Sequence, residues 1–133
     1  MSYWQLRRIS DERAARANLS DSHAVMQTMT FGVLALTAQL PIELRPAAFA
    51  AGTRWLTLEG EHIRLASFRV QAWQFLDRKN GDSTSIHDHV DVAVRALLCT
   101  LWDEEAESSV DEMLEYYSEL LSSHEGVAAV LGI

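Results

Sequence analysis

The residues whose types and spacing could do metal chemistry are His87, Asp88, His89 and Asp91. Imidazole and carboxylate are good ligands for zinc and iron. If the stretch is helical, His87 and Asp91 share a face, but His89 points about 200° away from His87, so the two histidines cannot chelate together as they could on a strand. A small hydrolase or metal-binding enzyme would use His87 and Asp91, while a metal-dependent phosphohydrolase reading rests on the His87-Asp88 dipeptide alone. The plainer reading is that Asp88 and Asp91 occupy the first turns of a helix, where the positive end of the dipole favours carboxylates. Nucleophilic chemistry finds less purchase. There is no Gly-x-Ser-x-Gly elbow, no glycine-rich phosphate loop and no Cys-x-x-Cys pair. The single cysteine, Cys99, sits in an apolar run and reads as core filling. No catalytic residue, metal ligand or cofactor follows from these patterns, and the chain reads as a binding protein rather than an enzyme.

The other chemistry-bearing group is acidic. The chain has a net charge of −8, which argues against a binder of nucleic acid, because phosphate contacts come from Lys and Arg. Residues 1–102 hold all 11 basic residues and ten acids, leaving +1, whereas residues 103–133 hold nine acids and no Lys or Arg, leaving −9. Asp103, Glu104, Glu105 and Glu107 crowd a linker. Asp111, Glu112, Glu115 and Glu119 then fall on one face of a helix, with Val110, Met113, Leu114, Tyr117, Leu120 and Leu121 opposite. Like charges four apart cost a helix a few tenths of a kcal/mol each. Such a face is either a solvated coat or a docking surface for a basic partner, with Tyr116 at its border as an anchor. The candidate contact set is Asp103, Glu104, Glu107, Asp111, Glu112, Glu115, Tyr116 and Glu119.

Through Asp111, Glu112, Glu115, Tyr116, Tyr117 and Glu119, the chain resembles in character the small helical bacterial immunity proteins that neutralise nuclease toxins. The likeness covers about 20 of the 133 residues. Those inhibitors meet basic toxin domains with acidic helices and a tandem Tyr pair, and contact-dependent inhibition systems use many unrelated small folds for the same task. The resemblance implies a cytoplasmic, non-enzymatic blocker of a cognate toxin domain. A small helical hydrolase or metal-binding enzyme using His87 and Asp91 is the alternative, and a regulatory adaptor using the same acidic face is a third reading.

These groups need elements to position them. At 133 residues the chain is one domain with enough length for a core. Its start lacks the apolar core of a secretory signal, and no run reaches the roughly 18–20 apolar residues of a membrane span. Apolar residues recur at helical spacing in most of the chain, and β-branched alternation is not sustained anywhere. Helices are expected over residues 3–17, with an opportunity to break at Ser10 and Asp11; over 21–40, capped by Asp21 or Ser22 and ended by Pro41; and over 47–58 behind Pro46. Gly60 reads as a stop, followed by a helix over 61–79 that opens on acids and closes on Arg78 and Lys79. Residues 80–84 form a turn. The central helix, 85–102, is capped by Ser85 with Asp88, and its polar stripe joins Asp91 to Arg95. Ile86, Val90, Ala93, Val94, Leu97 and Leu101 form one apolar face of that helix, and Val92, Ala96 and Cys99 a second. A last helix, 110–124, ends at Gly126 before an apolar tail expected to dock on the domain. The fold class expected is an all-α bundle of five or six helices, with 61–79 and 85–102 as its antiparallel centre.

Overall fold

The computed structural model of the protein describes residues 2–82, 84–103 and 109–122. Among them are six α-helices and no strand: α1 (Tyr3–Ala17), α2 (Asp21–Ala35), α3 (Arg45–Leu56), α4 (Ala66–Asn80), α5 (His89–Leu98) and α6 (Val110–Ser122). The all-α bundle expected from periodicity is what forms. The C-cap expected at Gly126 and the apolar tail lie outside the described residues.

Local chemistry sets the boundaries. Ser2 opens α1 with a capping box, its Oγ accepting from Gln5 N while Gln5 Oε1 accepts from Ser2 N. The helix runs unbroken past Ser10, whose buried hydroxyl donates to Thr28 Oγ1 at 2.9 Å and ties α1 to α2 instead of capping a new helix. Asn18, in the left-handed region at φ 54°, closes α1. Ser20, one residue ahead of the expected cap, opens α2 by accepting from His23 N. That helix stops at Ala35 rather than Leu40. Residue 40 precedes Pro41 and must be extended, so the chain tightens into a 3₁₀ turn over Thr37–Gln39.

Three further boundaries differ from expectation. Gly60 does not end a helix but opens a 3₁₀ turn, Gly60–His62, pressed so closely on α3 that a Cβ there would lie 1.8 Å from Thr53 O. The next helix begins at Ala66, which leaves Glu59 and Glu61 outside its first turn. Asp103 takes over their role from a distance, its Oδ1 accepting from Leu65 N at 2.5 Å. Lastly, Ser85 does not cap α5. Asp82 gathers Thr84 N and Ser85 N on Oδ1 in a local turn, and Asp88 becomes the N-cap, accepting from Asp91 N at 3.0 Å. Ile86 is thus left ahead of the helix and half exposed.

Within the bundle, α2 packs on α1, α3, α5 and α6. α4 and α5 run antiparallel: Lys79, at the end of α4, reaches Asp88 and Asp91 at the start of α5, while Arg69 Nη1, near the beginning of α4, donates to Leu101 O just beyond α5. α5 is covered on nearly all sides, with Val92, Ala93, Val94, Ala96, Leu97 and Leu98 all buried. Trp55 joins the far end of the core by donating from Nε1 to Thr100 O at 3.0 Å.

α6 comes close to α2 at one point, Gly32. Tyr117 is fully sunk, donates to Met29 O at 3.0 Å, and lies against Gly32; a Cβ on Gly32 would fall 2.0 Å from the Tyr117 hydroxyl oxygen. Elsewhere in a helix Ala outranks Gly by about 1 kcal/mol. Here the sign reverses, and Gly32→Ala is expected to destabilise by about 1–3 kcal/mol in urea denaturation, as overpacked sites do. Adding Tyr117→Phe, which removes the struck atom, should recover part of that loss. Strictly additive costs would show that the helices do not meet through this pair.

Candidate functional site: the outer face of α6

The structure divides the expected acidic set. Glu112, Glu115 and Glu119 project outward from α6 and are exposed. Among the described residues none of the three pairs with a Lys or Arg. Asp111 is different: its Oδ1 accepts from Tyr3 Oη at 2.6 Å and from Arg7 Nη1 at 3.1 Å. Arg7 also holds Asp11 and Asp21, so one guanidinium with a mostly buried side chain pins α6 to the first two helices. The hydrogen bond from Tyr3, with the Arg7 charge, holds the Asp111 carboxyl below its usual range; the same hydrogen bond raises the Tyr3 phenol. Asp103 is also structural. Besides its bond from Leu65 N, its backbone carbonyl accepts from Arg54 Nη2. Glu104 and Glu107 lie outside the described residues.

The two tyrosines point apart. Tyr117 belongs to the core, while Tyr116 is 39% exposed and accepts from Arg95 Nη1 at 3.0 Å. Arg95 was expected to pair with Asp91 along α5; it turns instead toward α4 and α6, its guanidinium 5.6 Å from the Trp73 ring centroid. A groove of about 370 Å³ opens there, walled by Trp73, Arg95, Leu98, Trp102, Met113 and Tyr116. Sequence reasoning missed it. Trp73 is on α4 and Trp102 lies beyond the end of α5, and in the sequence each reads as one more apolar residue. The available signal was that neither is needed to complete the apolar face of its own segment.

The metal-site alternative meets a different geometry. Asp91 is fully buried, with Oδ2 accepting from the backbone N–H of His87 at 2.7 Å and Oδ1 3.0 Å from Lys79 Nζ. His87 thus reaches Asp91 through its amide, not its imidazole. Lys79, the one lysine in the chain, lies 2.9 Å from Asp88 as well. Among the described residues no group of three His, Cys, Asp or Glu is placed to hold a metal ion. Burial pushes the Cys99 thiol up to about 12, so its thiolate is scarce at neutral pH.

No family model, no curated protein and no solved structure matches this chain. The site is therefore read from its own geometry. Among the described residues no helix is long and apolar enough to cross a membrane.

The Lys79 clasp carries a pH signature. Burial alone would raise the Asp91 carboxyl, but the His87 N–H and the Lys79 ammonium outweigh it and lower it; Asp88 is lowered chiefly by Lys79. Their contribution to stability is complete above about pH 4, the unfolded value, and is lost as pH falls through the lowered folded values. Lys79 is raised, mainly by its bond to Asp88, so its contribution holds up to about pH 10 and is lost above that. Lys79→Met leaves Asp91 buried without its counter-charge and should cost about 3 kcal/mol or more at pH 7. The cost should shrink toward pH 4 as the desolvated carboxyl takes up a proton. A cost independent of pH, measured by urea denaturation across that range, would contradict the clasp.

Proposed function

We propose that the protein is a toxin-neutralising immunity protein, acting in the cytoplasm by binding and covering a basic toxin domain through α6. The observation that carries this reading is the division among the acids of that helix: Asp111 is compensated within the chain by Arg7, whereas Glu112, Glu115 and Glu119 face outward without a cation among the described residues. A basic domain supplies the missing compensation. A nuclease toxin is basic because it must hold phosphates, and a carboxylate face laid over that surface blocks substrate by charge and by bulk without chemistry of its own. Tyr116, half exposed beside these acids, is the residue type that anchors such contacts.

The alternative enzyme is less well supported by the same geometry. Asp91 is withdrawn from solvent and engaged by Lys79 and by a backbone amide, so a catalytic pair with His87 would have to dismantle the start of α5.

The test is calorimetric titration of the purified protein with a candidate toxin domain, sought in the adjacent gene, at low and high salt. Association is expected to be fast and to weaken as salt rises, because opposed potentials steer encounter and are screened over about 8 Å at physiological ionic strength. Glu115→Lys combined with Glu119→Lys should reduce affinity by about tenfold or more while leaving the circular dichroism unchanged. Unchanged affinity in the double reversal would leave the acids as a solvated coat.

A further inference from the structure

We propose that the groove between α4, α5 and α6 receives an apolar side chain from a helix of the partner that carries its cations along one flank. This rests on the reading of α6 as the docking helix and assigns the contact that would anchor it.

Three large rings from three parts of the chain converge on the groove, and each is left partly in water: Trp73 38%, Trp102 43% and Tyr116 39% exposed. Their orientations are already held. Arg95 donates to the Tyr116 hydroxyl and lies against Trp73, and Arg69 lies 4.6 Å from the Trp102 ring centroid while bonded to Leu101 O. Aromatic surface fixed in place before binding loses little side-chain entropy on contact, and Trp, Tyr and Arg are the types that dominate binding energy at the centres of interfaces. At about 370 Å³ the groove has room for a Leu or Phe side chain.

Charge selects the occupant. On α6, Glu112 is next to the groove residue Met113, and Glu119 is one turn beyond Tyr116, so that rim is acidic. The rim away from α6, at Trp102, holds Arg69. A helix seated with its apolar ridge in the groove meets attraction for Lys or Arg only on the α6 side, and repulsion for them on the other. A second copy of this chain, with a net charge of −8, is a poor occupant, and the outward acids oppose an anionic lipid surface.

The probe is a synthetic helical peptide of about 18 residues, long enough to hold a helix, with Leu at helical spacing and Lys on one flank. Two controls replace all Lys by Glu or all Leu by Ala. Titration into the full chain, followed by calorimetry and tryptophan emission, should show binding of the Leu and Lys peptide with a blue shift. Trp73→Ala should weaken it by about tenfold, the loss expected of an anchor. Met113→Arg, which keeps every ring and places a cation in the groove, should do the same. If the Leu-to-Ala control binds as tightly and both groove variants are silent, the acidic face binds cations without the groove, which overturns this inference and leaves the docking reading standing. If the Glu control binds as tightly as the Lys peptide, both fall. No binding of either peptide, or sedimentation showing a dimer that Met113→Arg dissolves, would also overturn the proposal.

Discussion

The position of everything on α6 follows from one close contact, the Tyr117 ring laid into the notch that Gly32 leaves in α2. With a side chain on Gly32 the two helices could not approach, and with a smaller residue than Tyr at 117 the Met29 carbonyl would lose its side-chain donor. The contact fixes rotation as well as distance. Successive helical residues turn by about 100°, so once Tyr117 faces the core, Tyr116 must stand at the edge, and Glu112, Glu115 and Glu119 must face out. Arg7 and Tyr3 then hold the first turn of the helix through Asp111. A rigid outward surface is the consequence of an inward fit.

The acids of the chain do two kinds of work. Asp91 sits under Lys79 and accepts the His87 amide; Asp103 accepts the Leu65 amide ahead of α4; Asp111 sits between Tyr3 and Arg7. All three join segments far apart in the chain or complete a helix start, and all would be missed by a count of net charge. The three outward glutamates do nothing comparable among the described residues. The contrast separates structural carboxylates from those open to a partner, and the docking proposal draws on the second group alone.

Much of the architecture was legible in the residues. The 3.6-residue period identified every long helix, Pro41 and Pro46 marked real boundaries, and the burial of Leu97 and Leu101 followed from the wheel. The errors have local causes. Ser85 and Asp88 have the spacing of a capping box, but Asp82 captures the amide of Ser85, and Asp88 caps in its place. Arg95 is four residues from Asp91 and looked like its partner; the true partner, Lys79, arrives from the end of α4 through a contact no local pattern encodes. The groove was hidden for the same reason, since Trp73 and Trp102 meet only after α4 and α5 fold against each other.

The central claim is that the outward glutamates of α6 are not serving the fold. Glu115 and Glu119 lie four apart with like charge, and Glu119 is in the last turn, where the helix dipole disfavours an anion. The direct measurement is the urea stability of the free protein against that of Glu115→Gln combined with Glu119→Gln, at low and high salt. The double variant is expected to be more stable at low salt by about 0.3–0.5 kcal/mol, with the gain shrinking as salt screens the repulsion. A variant less stable than the wild type at low salt would show that these carboxylates hold the structure together, and the account of α6 as a docking surface would lose its basis.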